Sequence, residues 1–284
     1  KGEWEWLAQR HFEEGKAIPA LNTCIEEASK ELGTPQFKHK VVIGVPEPFL
    51  DQKDWGKLNG KQLDFSKNED RIAAVKWYID LITNLFKKNN LSNLELAGFY
   101  WVAEHMGRSN GITTSIGDYI RSKGKQFYWI PYYSSNGFSE WKKYGFDIAY
   151  LQPNYFFNKE IPNDRVDNSC ALAHTHNMGL EMEFDGNALA ASKNQKSDRL
   201  QNYIGSFYRN GVFRNSAIAY YEGGGAMLRF SQSQNPDDKI LMDTLAYFIQ
   251  ERRKNEIGKI LYKENFTQSE SLDNKIWNIE GNPK

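Results

Sequence analysis

The sequence predicts an α/β fold, and within that class a TIM-like (β/α)8 barrel. Six short apolar runs alternate with amphipathic helices along the 284 residues, as in parallel sheets covered on both faces. Acidic and aromatic residues follow most of these runs. This distribution favours a barrel over an open doubly wound sheet, because an open sheet collects its ligand-binding residues at one switch point.

The six predicted strands have β-branched or aromatic interiors. They lie at residues 41–46, 94–102, 127–132, 146–152, 180–184 and 217–221. A barrel of this class has eight strands and the chain opens with helical spacing, so we expect the first two strands to lie upstream of Lys1. In that numbering Glu104 closes strand 4 and Glu183 closes strand 7.

Helical spacing and stop signals predict the segments between the strands. The predicted helices lie at residues 3–14, 17–32, 66–88, 115–123, 138–144, 165–177, 196–210 and 237–253. Ser66 and Glu69 have the spacing of a capping box. In the second helix we expect an apolar stripe to face the core, consisting of Ile18, Leu21, Ile25, Ala28 and Leu32.

Two units are predicted along the chain. Residues 1–258 form the barrel, and residues 259–284 break the βα rhythm. Short polar-flanked runs at residues 264–267 and 275–278 indicate edge strands. We expect residues 259–284 to be a linker or the start of an appended β-rich domain; packing along the outside of the barrel is the alternative.

Composition excludes several classes of partner. Lys plus Arg and Asp plus Glu each number 36, so the formal net charge is zero and gives no footprint for nucleic acid. No apolar run approaches the length of a membrane span. Cys24 and Cys170 match no metal or redox spacing, and we expect both to be buried free thiols.

Glutamates at the strand ends indicate the chemistry. Glu104 and Glu183 would face each other across the barrel mouth, as in retaining glycoside hydrolases, where an acid/base and a nucleophile lie about 5–5.5 Å apart. We expect Glu104 to be the acid/base and Glu183 the nucleophile. Glu181 points to the same side of its strand and is the rival nucleophile. The alternative is that these carboxylates only pair with Arg or Lys at the rim.

Further polar and aromatic residues fall at or just past strand ends, or in the long loop at residues 47–65. Such side chains stack on sugar rings or bond sugar hydroxyls. His105 adjoins Glu104 and is expected to orient it. We expect substrate contacts from Trp55, Trp101, His105, Tyr132, Tyr133, Gln152, Asn154, Tyr155, Glu181, Phe184, Tyr221 and Glu222.

No metal or cofactor is predicted. His174 and His176 form an HxH pair, but they fall in a predicted helix, where positions i and i+2 do not share a face. No glycine-rich phosphate loop or nucleophile elbow follows a strand; Gly223, Gly224 and Gly225 alone are weak evidence.

Seven short motifs occur in an order that resembles the bacterial domain-of-unknown-function 4855 family. They lie at residues 4–7, 12–15, 38–43, 98–101, 130–133, 152–155 and 179–183. The resemblance implies a glycosidase-like barrel and a secreted, periplasmic or cell-surface protein of carbohydrate-degrading bacteria, often with an extra β-sandwich or carbohydrate-binding module. It supplies no catalytic residues.

The sequence therefore predicts a retaining glycoside hydrolase of oligo- or polysaccharides. Two rivals stay open: a non-catalytic glycan-binding barrel and a metal-dependent hydrolase. An inverting mechanism needs only a wider gap between the carboxyl groups.

Overall fold

The structure, a computed structural model, describes residues 1–254. Its main sheet has six strands, all parallel and arranged in chain order, and a separate two-stranded hairpin is antiparallel. The strands are β1 (His39–Val45), β2 (Gly56–Leu58), β3 (Lys61–Leu63), β4 (Leu94–Trp101), β5 (Gln126–Trp129), β6 (Ile148–Leu151), β7 (Gly179–Asp185) and β8 (Ile218–Gly223).

The helices are α1 (Gly2–Arg10), α2 (Ala17–Leu32), α3 (Asn68–Asn89), α4 (Thr113–Ser122), α5 (Asp164–Thr175), α6 (Ser197–Arg209), α7 (Val212–Asn215), α8 (Ala226–Gln232) and α9 (Pro236–Lys254). Helices α3 to α7 lie between strands of the main sheet, whereas α1 and α2 precede β1, α8 and α9 follow β8, and only a 3-10 turn separates β5 from β6. Parallel crossovers are right-handed, so strands in chain order place their helices on one face of the sheet. The sheet curls away from these helices and leaves a concave face.

The sheet is a half-barrel. All six predicted strands are confirmed, and their parallel order is compatible with a TIM-like fold. The described residues do not form a complete eight-stranded barrel: within residues 1–254, β1 pairs only with β4, and β8 only with β7.

The core lies between the sheet and its helices. Buried residues alternate along β1, β5 and β6, and the register aligns them in rows; Val45, for example, pairs with Trp101, and Trp101 with Trp129. The buried strand residues on this face are Val41, Ile43, Val45, Leu94, Leu96, Phe99, Trp101, Phe127, Trp129, Ala149, Leu151, Leu180, Met182 and Phe184.

The concave face carries the intervening residues. Tyr100 pairs in register with Tyr128, and Gly98 lies on the same face, so that an added Cβ would come within 2.7 Å of the Tyr128 ring. Further along the sheet, Glu181 and Glu183 occupy the positions between the buried Met182 and its apolar neighbours. The face therefore changes from aromatic to acidic between β4 and β7.

The capping box predicted at Ser66 and Glu69 is wrong. The amide and hydroxyl of Ser66 both donate to Oδ1 of Asp64, at 2.9 and 2.7 Å, and α3 begins only at Asn68. The hydroxyl of Ser66 is therefore bonded to Asp64 and does not cap α3.

Two predicted helices differ in extent or burial. Residues 138–144 contain only a 3-10 turn at Phe138–Glu140, because glycines at positive φ bracket the segment too closely for a longer helix. In α2 only Ile18 of the expected stripe is buried, whereas Leu21 and Leu32 are 43% and 85% exposed.

The long loop at residues 47–65 contains the β2–β3 hairpin, which the sequence reading missed. Asn59 and Gly60 both have positive φ, as a type I′ hairpin turn requires, and Asn-Gly is the usual signal for that turn. The short helix α8 was also missed.

Three further expectations concern the domains and the composition. The predicted unit at 259–284, with its two short strands, lies outside the described residues. Within residues 1–254 none of the helices combines the length and hydrophobicity that crossing a bilayer requires. Both cysteines are free as expected, but Cys24 is exposed and only Cys170 is buried.

Candidate functional site

Glu104 follows β4 on a backbone that is held from two sides. The indole of Trp129 donates to the carbonyl of Ala103 at 2.7 Å, and the amide of Tyr132 donates to the carbonyl of Glu104 at 3.4 Å. These bonds fix the chain where it leaves the sheet. The Glu104 residue itself is exposed.

Glu183 lies near the end of β7 and is 0% exposed. Its Oε2 accepts hydrogen bonds from the hydroxyl of Tyr203 at 2.5 Å and the amide of Tyr155 at 3.2 Å. Its Oε1 accepts from Nε2 of Gln152 at 3.2 Å. The protein therefore surrounds this carboxyl group with donors.

The donors around Glu183 are themselves fixed. The backbone of Gln152 bonds to Pro131 and Tyr133 beyond β5, at 2.9 and 2.8 Å. The guanidinium of Arg199 lies 3.6 Å from the centre of the Tyr155 ring and donates to the carbonyl of Tyr155. Arg199 and Tyr203 are one turn apart on α6, so one helix supports two of the groups around the carboxyl.

Asn154 contributes through its backbone. It has φ of 50°, in the left-handed region that asparagine tolerates better than most residues. The amide of the next residue, Tyr155, donates to Glu183, and the neighbouring amide of Asn154 acts to lower the pKa of that carboxyl group. The Pro153–Asn154 turn thus places backbone N–H groups beside one carboxylate.

The pKa of Glu183 is raised because burial penalises the charged form, while the bonds from Tyr203, Tyr155, Gln152 and Asn154 act to lower it. Hydrogen bonds of this kind stabilise the carboxylate. Of the two glutamates on β7, Glu183 is therefore the one whose surroundings favour negative charge.

Glu181 is two residues away on the same face and lacks such donors. It is 6% exposed, and within residues 1–254 no hydrogen bond or ion pair reaches its carboxyl group. Burial first, then repulsion from Glu183 and from Glu104, raise its pKa to about 8. At neutral pH Glu181 is thus mainly protonated.

Glu104 belongs to the same electrostatic group. Partial burial of its carboxyl group raises its pKa, and the neighbouring His105 opposes that rise. Tyr100 has a raised pKa through burial and through the charges of Glu104 and Glu181. Carboxyl groups from the ends of β4 and β7 therefore act on common neighbours over the concave face.

The alternative that these glutamates are tied to basic residues at the rim does not describe this site. The ion pairs within residues 1–254 use other carboxylates, and none includes Glu104, Glu181 or Glu183. Hydrogen bonds stabilise the charge of Glu183, and Glu181 is mainly protonated at neutral pH.

Four of the aromatic residues predicted to contact substrate are buried. Trp55 packs against Trp4 and Phe65, and Trp101 lies on the helix side of β4. Because stacking on a sugar needs an accessible ring face, the structure corrects these assignments. The four rings, all at most 2% exposed, are Trp55, Trp101, Tyr155 and Phe184.

Other predicted contacts lie nearer the surface. The His105 ring packs edge-on against Tyr132 at 6.4 Å, and no hydrogen bond joins it to Glu104 in the described part of the chain. Tyr133 lies under the guanidinium of Arg165, 4.1 Å from the ring centre. Tyr221 is 50% exposed at the end of β8.

Glu222 has a local structural partner. Its Oε1 accepts a hydrogen bond of 2.8 Å from the amide of Met227, in the first turn of α8. This bond caps the helix, as acidic groups do at helix N-termini. The expectation that Glu222 binds a sugar hydroxyl or tunes its neighbours competes with this role.

Sequence reasoning missed Tyr203, Arg199 and Tyr100. Tyr203 and Arg199 lie inside a helix. There the apolar pattern predicts which helix face is buried, but it does not predict that the Tyr203 hydroxyl bonds to Glu183. Tyr100 was assigned to a fully buried strand. The alternation of side chains between the two faces of β4 after Gly98 could have indicated that Tyr100 lies on the face opposite to Trp101.

The two histidines of the HxH pair lie at the end of α5. His174 is exposed, whereas His176 packs edge-on against Phe138 at 5.4 Å. Within residues 1–254 no group of three or more His, Cys, Asp or Glu side chains is placed to hold a metal ion.

A family model described as "Domain of unknown function (DUF4855)" matches residues 1–247. The chain belongs to this family. No curated protein matches the sequence. The DUF4855 match covers every strand and all helices but the end of α9, and its description assigns no reaction to the three carboxyl groups.

Proposed function

We propose that this DUF4855 chain is a retaining glycoside hydrolase acting on an oligo- or polysaccharide. The observation that carries the proposal is a group of three strand-end carboxyls that lack ion pairs and have different environments. Enzymes assign acid and base roles to carboxyl groups by such differences. A secreted, periplasmic or cell-surface location in a bacterium is part of the proposal.

In this proposal Glu183 is the nucleophile. Attack on the sugar carbon requires a carboxylate, and Glu183 is the glutamate supplied with hydrogen-bond donors. Glu181 is the rival nucleophile because it is the less buried of the two, although its raised pKa opposes that role.

Glu104 is the acid/base in this proposal. A general acid needs a raised pKa to hold its proton near neutral pH, and burial raises the pKa of Glu104. Its exposure would let it reach the glycosidic oxygen and, in the second step, a water molecule. The fixed backbone at Ala103 holds it at the mouth of the sheet.

The fold component of the proposal is a complete (β/α)8 barrel. Within the described residues, the outer edges of β1 and β8 are unpaired, and the sheet already curls. Two additional parallel strands between these edges would close it.

One observation favours a second function, a glycan-binding barrel without catalysis. Glu183 is 0% exposed and both of its oxygens accept hydrogen bonds, which is typical of a carboxylate with a structural role. In that case the exposed aromatic residues would bind glycans, and no bond would be cleaved.

The test is a hydrolysis screen across plant, bacterial and animal glycans, using the wild-type chain and Glu104→Gln, Glu181→Gln and Glu183→Gln. Glu95→Gln is the matched control, since Glu95 is an exposed glutamate of β4. We expect the Glu104 and Glu183 variants to lose turnover while remaining folded, and NMR to show an initial product with the substrate's anomeric configuration.

Other outcomes distinguish the alternatives. If Glu181→Gln loses hydrolytic activity and Glu183→Gln retains it, Glu181 is the nucleophile. Glycan binding without hydrolysis would establish the binding-barrel function, and full activity in all three variants would refute the proposal.

A further inference from the structure

A pocket of about 510 Å³ opens at the ends of β7 and β8. Its lining includes Gly186, Gly223 and Gly224, which have no side chains to occupy the space. Phe157 and Tyr221 form one wall, and Arg229 of α8 forms another. This pocket contains a cation that the proposed hydrolysis does not use.

The aromatic wall is accessible. Phe157 is 43% exposed and Tyr221 is 50% exposed, and the rings meet edge-to-face at 5.8 Å. The Phe157 backbone is fixed, because Nζ of Lys196 donates to its carbonyl at 2.7 Å. Two rings held in this way offer a surface on which the C–H face of a sugar can stack.

The guanidinium of Arg229 lies directly over Gly186. A Cβ built on Gly186 would be 2.0 Å from Nη2 of Arg229, so glycine is required for this approach. The backbone amide of Arg229 donates to the carbonyl of Gly225, but within residues 1–254 no hydrogen bond or ion pair involves its guanidinium group. Its N–H groups are thus available to a ligand that can accept from them.

The other charges near the pocket already have partners. Both oxygens of Asp185 accept from Asn187, at 2.8 and 2.9 Å, and Glu222 accepts from the amide of Met227. Lys196 is bonded to Phe157. Arg229 is therefore the charged group in this pocket that is left without a partner in the described chain.

We propose that this pocket is a sugar subsite for a carboxylate-bearing residue, a uronic acid, with Arg229 binding the carboxylate and Phe157 and Tyr221 stacking on the ring. A planar carboxylate matches the paired N–H groups of a guanidinium. The inference rests on the proposed function, because it names the substrate class of that site as an acidic saccharide.

The test uses two probes that differ only at the acidic group, methyl β-D-glucuronide and methyl β-D-glucoside. Binding is followed through the Nε–Hε resonance of Arg229, assigned by its loss in Arg229→Gln. We expect the glucuronide to shift this resonance and the glucoside to leave it in place. Arg229→Gln should weaken glucuronide binding about tenfold or more.

Two further variants separate the contributions. Arg214→Gln is the matched control, because Arg214 is an exposed arginine of α7 outside this pocket, and it should bind the glucuronide as the wild type does. Tyr221→Ala should weaken the glucuronide through loss of the stacking surface. Glucose 6-sulfate tests whether any anion is accepted.

The inference would be overturned if both glycosides bound equally well, or if Arg229→Gln bound the glucuronide as tightly as the wild type. It would also be overturned if the Arg229 resonance did not shift at the highest soluble glucuronide concentration. Binding of the sulfate without the glucuronide would overturn it too. These measurements need no turnover, so the two proposals can fail separately. If the chain hydrolyses only neutral glycans, the subsite is refuted and the hydrolase proposal stands. If it binds the glucuronide but hydrolyses nothing, the subsite stands and the hydrolase proposal is refuted.

Discussion

The hydroxyl of Tyr203 donates a hydrogen bond of 2.5 Å to Oε2 of Glu183, joining α6 to the end of β7. Tyr203 is 0% exposed, and burial first, then the charge of Glu183, raise the pKa of its hydroxyl well above the usual range, so it remains a donor across the physiological pH range. The bond connects the packing of a helix to the ionisation of a candidate nucleophile.

Tyr203→Phe should destabilise the chain by about 1–3 kcal/mol, because Glu183 loses a buried donor while the aromatic packing is kept. The loss should be larger at about pH 8 than at about pH 5, since the ionised form of Glu183 depends on its donors most. Urea unfolding at both pH values measures it.

Tyr208→Phe is the control for that variant, because Tyr208 lies on the same helix and is 59% exposed. It should change the free energy of unfolding little at either pH. An equal response in the two variants would show that the Tyr203 hydroxyl does not support the carboxylate.

Glu181 should make the chain less stable as pH rises. Its pKa is raised from 4.5 to about 8, so between these values the folded chain keeps a proton that the unfolded chain has released. The contribution is fully present below about pH 4.5 and is lost up to about pH 8, with a limiting slope of about 1.4 kcal/mol per pH unit.

Glu181→Gln removes this titration. We expect its free energy of unfolding to match the wild type at about pH 4 and to exceed it at about pH 8. Glu95→Gln, in an exposed position of β4, should follow the wild-type pH profile. If Glu181→Gln also follows that profile, Glu181 is not a protonated group in the folded state.

Sequence reasoning identified the strands and the acidic group because both depend on local patterns. Buried parallel strands are continuously apolar, and the glutamates stand where those runs end. It predicted that Trp101 contacts substrate because this residue stands at a strand end, but β4 contains a bulge: Val41 pairs with Leu96 and Val42 with Gly98, which leaves Ala97 as an extra residue. This bulge exchanges the two faces of the strand.

Contacts between residues that are far apart along the chain could not be predicted from local sequence patterns. Nothing local to Tyr155 indicates that Arg199 lies over its ring, and nothing local to Glu222 showed the helix it caps, since α8 itself was missed. In contrast, the Asn59-Gly60 turn carried a usable signal that the long-loop interpretation overlooked.

Gly98→Ala should destabilise the sheet strongly. Its Cβ would lie 2.1 Å from the backbone carbonyl oxygen of Gln126 in β5, so the strands would have to separate. We expect a loss of at least about 1–3 kcal/mol, as for other overpacked sites. Thermal unfolding measures this loss.

Gly2→Ala is the control for Gly98→Ala, because a Cβ at Gly2, in α1, meets nothing within 4 Å. It should leave stability unchanged or slightly improved. A thermal midpoint for Gly98→Ala equal to that of Gly2→Ala would contradict the close strand approach.

The two cysteines should differ sharply in reactivity. Cys24 is exposed, whereas Cys170 is buried in α5, and burial raises the pKa of its thiol to about 12. Since the thiolate is the reactive form, a thiol reagent should label Cys24 in the native chain and Cys170 only after unfolding. Mass spectrometry of the labelled peptides, with Cys24→Ser as the matched variant, measures this. Rapid native labelling of Cys24→Ser would show that the α5–β7 packing opens on the time scale of the reaction.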